Sequence, residues 1–193
     1  MVAGLPGAGK STALEELQAR GAARGLLVLD SAAVRGWLQP RLARIPYPVL
    51  RPVVHAAHWV RILTLALTEC RPLVVHETAT RPGSRRVLRA LARCGGRPAR
   101  LVWIDVPGGV ALRGQVDRRR VIRPRAFVRH LHRVADTHPV ADAGRTWDAA
   151  YSTGREGAPA VIIAAATTRA GTGAAGAIRG VPAVWWGDRR SGL

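Results

Sequence analysis

A nine-residue stretch near the beginning of the sequence, Gly4 to Thr12, constrains the fold more than any other part of the chain. It reads Gly-Leu-Pro-Gly-Ala-Gly-Lys-Ser-Thr, so that four residues separate Gly4 from Gly9 and Lys10-Ser11 follow. Glycines at these positions let successive backbone N–H groups turn inward and cradle phosphate oxygens. A helix that begins near Lys10 adds the positive end of its dipole to the same place. The stretch therefore predicts a phosphate-binding loop that leads into a helix.

Lys10 is the sole lysine among the 30 Lys plus Arg residues of the chain. A compact ammonium on a flexible stem suits this position, where it is expected to reach the β- and γ-phosphates of a nucleotide. The Ser11 hydroxyl is the expected ligand of a Mg²⁺ ion. The alternative is a glycine-rich turn that matches by chance in a chain with 21 Gly, and the placement of the single lysine argues against it. The expected cofactor-binding residues of the loop are Gly4, Leu5, Pro6, Gly7, Ala8, Gly9, Lys10, Ser11 and Thr12.

The composition is that of a globular protein with a large positive charge. The 193 residues suffice for one domain with a full core, and 48% of them are hydrophobic. The net charge of +18 indicates either a nucleic-acid partner or arginines spread over helix surfaces by a general codon preference. The second explanation is favoured, because few aromatic residues accompany the arginines. The two cysteines show neither the spacing of metal ligands nor the density of a disulfide framework. The sequence also shows no signal-peptide pattern and no apolar run of about 20 residues. We therefore expect a soluble cytoplasmic protein without a membrane partner.

Short apolar runs alternate with helical patterns along the chain. After a first strand cut short before the loop, buried strands are expected at 25–30, 72–78, 100–106 and 160–166. Helices are expected at 11–23, from Ser31 through Leu38, and at 53–70, 84–94 and 110–133, the last one interrupted near 122–124. The ranges 40–52 and 136–157 are expected to be irregular. This alternation predicts an α/β fold with a parallel sheet.

Acidic residues follow the expected strands, at the edge where open parallel sheets hold their ligands. Asp30 ends the second strand and is the acid best placed to orient or deprotonate a hydroxyl. Glu77 ends the third strand, and Asp105 before Pro107 is interpreted as a turn cap. The histidines on the expected long helix, His55 among them, are interpreted as core or surface residues, because a metal site needs three or four ligands.

Together these residues resemble the small P-loop kinases. The loop, the strand ending in Asp30 with Arg35 five residues on, and the 101–105 strand feeding an arginine-rich helix are similar to AAA-type ATP-binding proteins that group with zeta toxins and polynucleotide kinases. The resemblance covers about residues 1–140. It implies a three-layer α/β/α sandwich with a five-stranded parallel sheet in the order 2-3-1-4-5, and a mobile arginine-rich lid at about 108–138. We assign residues 1–168 to this nucleotide-binding domain and 169–193 to a Gly/Ala-rich tail.

The resemblance also implies ATP and Mg²⁺ as cofactors, and phosphoryl transfer to a hydroxyl of an acceptor. By position, Asp30 resembles the acid that contacts this hydroxyl and helps to hold Mg²⁺ through water, and Arg35 resembles the arginine on the acceptor side. Arg118 and Arg120 resemble lid arginines that embrace the γ-phosphate, with Arg113 earlier on the same element as a further nucleotide contact.

The expected roles follow from this resemblance and from the loop. His76-Glu77 stand where the family often has Asp or Asn, so Glu77 joins the expected metal residues. The expected catalytic residues are Lys10, Asp30, Arg35, Arg118 and Arg120, and the expected metal residues are Ser11, Asp30 and Glu77.

Three functions remain open on these residues. The first is an ATP-dependent kinase of a small molecule or a nucleic-acid end. The second is an ATP-binding or ATP-hydrolysing regulatory module without an acceptor; the pair Asp30 and Arg35 favours the kinase, because a pure switch needs no acceptor site. The third is a 5′-hydroxyl polynucleotide kinase that uses the basic surface, and a nucleic-acid partner is the less favoured reading of the charge.

Overall fold

The computed structural model describes residues 1–21, 25–77, 82–119, 121–136, 140 and 147–168. The strands in these ranges are β1 Val2–Gly4, β2 Leu27–Leu29, β3 Leu73–Val75, β4 Arg100–Ile104 and β5 Ala149–Thr153. The helices are α1 Lys10–Gly21, α2 Ser31–Arg41, α3 Tyr47–Thr68, α4 Pro82–Cys94, α5 Gly108–Asp117, α6 Pro124–Asp136 and α7 Ala158–Thr167. The alternation of strands and helices predicted from the sequence is confirmed as a mixed α/β fold. None of the helices in these ranges combines the length and apolarity that crossing a membrane requires.

The strands pair in parallel but form two sheets. One sheet has the order β1-β4-β5, and the other consists of β2 and β3. A parallel bridge between Val2 and His76 joins them, and the Glu77 N–H donates to the Val2 carbonyl at 3.2 Å. The continuous five-stranded sheet in the order 2-3-1-4-5 is thus not formed; its two parts meet at this bridge.

Neighbouring residues of β4 enter different clusters of the core, as the two-residue period of a strand requires. Val102 and Ile104 pack with Leu14 and Leu17 of α1 and with Ile162 of α7. Leu101 and Trp103 pack on the opposite face with Ala3 and Trp147. The sheet is therefore buried on both faces at β4, which explains why this strand reads as a continuous apolar run.

The expected fifth strand at 160–166 is wrong. These residues belong to α7, and the fifth strand is β5, inside the range expected to be irregular. A short apolar run fits a buried helix as well as a buried strand. Here alanine, the best helix former, supplies half of the residues of α7, and Pro159 stands in the first turn, where proline is accepted.

The long helix α3 begins earlier than expected. Of the range 40–52 only 42–46 is irregular, because α2 runs through Pro40 to Arg41 and α3 starts at Tyr47. Pro48 stands in the first turn of α3, where a backbone N–H has no partner in the helix, so its ring does no harm. Pro52 lies in the second turn and is tolerated because Leu50 and Val54 pack against Val34 of α2. Packing against α2 has outweighed the low preference of proline for the interior of a helix.

Candidate active site

The loop between β1 and α1 has the conformation that its glycines predict. Gly7 and Gly9 have φ values of 86° and 97°, a region in which side chains are strained. Gly7 also lies against α5, since a Cβ atom there would stand 2.0 Å from the Ala111 carbonyl oxygen. The Ala13 N–H donates to the Gly9 carbonyl at 3.0 Å, so α1 grows directly out of the loop. The loop backbone thus leads without a break into the beginning of α1, the arrangement in which a helix N-terminus binds an anion.

Lys10 is buried at the beginning of α1, with 6% of its surface exposed. Its ammonium donates to the carbonyl oxygens of Gly4 and Leu5, both at 2.8 Å, and keeps a third N–H donor. Burial lowers the pKa of Lys10 to about 8; the nearby carboxylates of Glu77 and Asp30 act in the opposite direction, and Arg118 adds to the lowering. The charges of both acids and of the arginine therefore act on the Lys10 ammonium.

Asp30 begins α2 and is held from two sides. Its Oδ1 accepts from the Ala32 N–H at 3.0 Å, which caps the helix, and lies 2.9 Å from Nδ1 of His76. Burial alone would raise the pKa of Asp30, but the bonds to the His76 ring and the Ala32 N–H outweigh it and lower the pKa to about 2. Asp30 is therefore ionised at neutral pH, and the His76 ring donates to it. His76 was noticed in the sequence only as a departure from the family and was given no role.

A second histidine closes the inner side of this cluster. His58 lies on the buried face of α3 with 1% of its surface exposed. Burial lowers the pKa of His58, while the charges of Glu77 and Asp30 oppose the change. The interpretation of the helix histidines as core or surface residues agrees with this position. In the described ranges no three His, Cys, Asp or Glu residues come together in a way that could hold a metal ion.

The expected lid arginines differ in whether they contact the loop. Arg118 caps the C-terminal end of α5, and its guanidinium donates to the Thr12 hydroxyl, so it is brought to the loop. Arg119 next to it has a φ of 50°, which is uncommon for a residue with a side chain. Arg113 is exposed on α5, and no hydrogen bond ties its side chain to the loop in the described ranges. Arg120 lies outside the described residues.

Arg35 is not brought to Asp30 by any direct contact. Its Nε donates to Gln39 at 3.0 Å, and its guanidinium lies 4.4 Å from the ring centroid of Tyr47. The arginine therefore links α2 to the beginning of α3. The other expected residues, Ser11 and Glu77, are partly buried on the loop side.

Two residues that the sequence did not single out contact the loop from other elements. The buried Gln115 of α5 donates to the Pro6 carbonyl at 3.1 Å and accepts from the Ile122 N–H at 3.0 Å. Arg155, in the turn after β5, donates to the Gly7 carbonyl at 2.8 Å. The one sequence signal for Gln115 is that a polar residue stands among the apolar residues of α5. No local feature of the sequence distinguishes Arg155 from the other arginines.

The helices α5 and α6 span most of the expected lid. Ala111 and Phe127, one from each helix, belong to the same buried cluster as Leu5 and Ala8 of the loop. Both helices therefore pack on the body beside the loop. Their mobility stays a prediction.

Comparison with models of protein families gives a match over most of the chain. The model of a family described as an AAA domain matches residues 1–141, which include the loop, Asp30, His76, Glu77 and Arg118. No curated protein matches the chain significantly.

Proposed function

The chain belongs to this AAA domain family, and on that basis we propose that it is a kinase that uses ATP and Mg²⁺ to phosphorylate a hydroxyl of a small molecule or a nucleic-acid end. The family is P-loop NTPase-like, which supports nucleotide binding. The observation that supports the kinase is that Asp30, held 2.9 Å from the His76 ring, lies near enough to Lys10 for its charge to act on the pKa of the ammonium.

The residues present fit both cofactors. A loop whose glycines adopt positive φ can direct backbone N–H groups towards a triphosphate, and a buried lysine supplies the counter-charge. The Ser11 hydroxyl and the carboxylates of Asp30 and Glu77 are oxygen donors, the kind that Mg²⁺ prefers. These three side chains would hold Mg²⁺, and the bound ion would supply positive charge against the phosphates during transfer.

Phosphoryl transfer asks the protein for positioning and charge more than for covalent chemistry. Lys10 would hold the β- and γ-phosphates with the N–H donor that the loop carbonyls leave over. Asp30, kept ionised by His76, would accept a hydrogen bond from the acceptor hydroxyl. As the bond from this oxygen to the γ-phosphorus forms, the bond from the γ-phosphorus to the bridging oxygen breaks, ADP leaves, and Asp30 takes the hydroxyl proton. Arg118, already against Thr12 beside the loop, would face the negative charge on the γ-phosphate.

The regulatory ATPase remains the second candidate because of one observation. Arg35, expected on the acceptor side, contacts Gln39 and Tyr47. An acceptor with an anionic group would have to draw it away from these partners, whereas a protein that only hydrolyses ATP would leave it in place.

The test is incubation of the protein with γ-labelled ATP and Mg²⁺ against pools of metabolites, nucleosides and oligonucleotides, with Lys10→Ala as the inactive control. Label in an acceptor supports the kinase, and label released only as inorganic phosphate supports the regulatory module. Arg118→Ala should reduce turnover by about 10³-fold with little loss of ATP affinity. Arg129→Ala, an equal charge change on the exposed face of α6, is the matched control. Equal losses of turnover and affinity in Arg118→Ala would reduce this residue to a binding charge.

A further inference from the structure

The long helix α3 is apolar on two opposite faces. Its inner face is buried in the body of the protein and consists of Leu50, Val54, His58, Ile62 and Ala66. Its outer face, here called the α3 seam, consists of Val49, Val53, Ala56, Val60, Leu63 and Leu67, all exposed. With 3.6 residues per turn, the seam occupies an arc of about 80° whose centre lies opposite the centre of the inner face.

The spacing of the α3 seam is that of a helix packed along another helix. Its members follow one another at intervals of four, three, four, three and four residues. This is the alternation of a and d positions in a heptad, which lets side chains of one helix insert between those of a neighbour. An ordinary surface helix has one apolar stripe, directed at its own core, and α3 already has that stripe on its other side.

Charge is absent from the seam although the chain carries a net charge of +18. Between Val49 and Leu67 the charged residues are Arg51 and Arg61. At 100° per residue, both arginines point to the inner half of the helix, in heptad positions f and b, which are remote from a pairing helix. Two copies of the seam could therefore approach without bringing like charges together.

The exposed area is large enough for a specific contact. Val49, Val60 and Leu67 expose 65%, 61% and 53% of their surfaces. Six residues of this kind present on the order of 500 Å² of mostly apolar surface, which is as large as the largest patch on a typical monomer. Pairing two such seams would bury roughly 1,000 Å², the threshold for a specific protein–protein interface.

We propose that the α3 seam is the interface of a homodimer, in which α3 of one copy packs along α3 of a second copy about a two-fold axis. A two-fold contact joins a surface to itself, so one self-complementary seam is sufficient. The chain needs no second apolar surface of matching shape. The dimer does not depend on the proposed kinase activity, because the seam lies on the face of α3 that points away from Asp30 and His76.

Sedimentation velocity of the full chain from about 1 µM to about 200 µM tests this proposal. The wild type should show a dimer, and Val60→Glu should raise the dissociation constant by about 100-fold or more, since it places two carboxylates in an apolar contact. Val87→Glu on α4 is the matched control, because Val87 is also an exposed valine on a helix, with 49% exposure, and should leave the constant within about twofold. Both substitutions are on the surface, and equal melting temperatures at a concentration where the wild type is monomeric would show that folding is retained.

Crosslinking supplies a second measurement that does not depend on weakening the dimer. Val60 lies near the middle of the α3 seam, so in a two-fold dimer it meets its own copy. With the exposed Cys70 and Cys94 replaced by serine, Val60→Cys should give a dimer with a short bifunctional maleimide, and Val87→Cys should not.

Four results would overturn the proposal. A wild type that stays monomeric at every concentration is the first, and a dimer that Val60→Glu does not weaken is the second. A dimer that forms only after removal of residues 169–193 would mean that this segment covers the seam. Binding of the monomer to anionic lipid vesicles that Val60→Glu abolishes would identify a membrane surface as the occupant.

Discussion

Replacing Asp30 by asparagine separates the two roles of this side chain at the beginning of α2. Asparagine caps a helix about as well as aspartate, so the bond from the Ala32 N–H is retained. The charge that lies 2.9 Å from the His76 ring is removed. Asp30→Asn should therefore destabilise the protein only through the lost charge, whereas Asp30→Ala should lose the cap as well, at a further cost of about 1 kcal/mol.

The size of the effect follows from the pKa of the carboxyl. In the fold it lies at about 2, against an ordinary value of 3.8, which corresponds to at most about 2.5 kcal/mol. Solvent still reaches part of the carboxylate and screens it, so we expect about 1 kcal/mol. Because the folded pKa is the lower one, this stabilisation is fully present above about pH 4 and is lost as the pH falls towards 2.

Urea unfolding at several pH values, followed by the fluorescence of the buried Trp103 and Trp147, measures this contribution in buffer with a chelator. Wild type and Asp30→Asn should differ by about 1 kcal/mol in free energy of unfolding at pH 7 and pH 5, and the difference should fall to about a third of this near pH 2.5. Asp117→Asn, on the exposed end of α5, is the control and should change stability by less than about 0.5 kcal/mol. The reasoning is refuted if Asp30→Asn is as stable as the wild type at pH 7, or if the difference at pH 2.5 is as large as at pH 7.

Two further substitutions test how the loop is held. Gly7→Ala should lower the free energy of unfolding by more than about 2 kcal/mol and abolish nucleotide binding in calorimetric titration, because its Cβ would stand 2.0 Å from the Ala111 carbonyl oxygen at a φ of 86°. The control Gly36→Ala, in open space on α2, should instead stabilise the protein by up to about 1 kcal/mol. A similar loss of stability in both variants would contradict this account. Gln115→Leu should lower the free energy of unfolding by about 2–3 kcal/mol in urea, because it leaves a loop carbonyl and a turn N–H without partners. The exposed Gln39→Leu should change it by less than about 0.5 kcal/mol, and a Gln115→Leu variant of unchanged stability would show that these bonds contribute nothing.

The parts of the site that local sequence determines could be predicted. Glycine spacing sets the backbone of the loop, and a buried strand that ends in an acid places Asp30 at the sheet edge. The cap of α2 by Asp30 follows from the same local rule. These features depend on residues close together in the chain, where propensity and pattern are informative.

The remainder depends on contacts between distant parts of the chain. Gln115 lies 109 residues from Pro6, and Arg155 lies 148 residues from Gly7. No periodicity or motif connects such pairs, so their bonds to the loop had to be seen in three dimensions. The interchange of strand and helix between β5 and α7 has a similar cause, since the weakly apolar 149–153 segment becomes a strand only by pairing with β4.

The bridge between Val2 and His76 gives one residue two duties. The backbone of His76 joins the two sheets, and its ring donates a hydrogen bond to Asp30. One half leads into the loop with Lys10, and the other half ends at Asp30. The bridge therefore sets the separation of these two side chains. A shift of one half along the other by one residue would change the distance between Lys10 and Asp30 while leaving the strand pairing within each half intact.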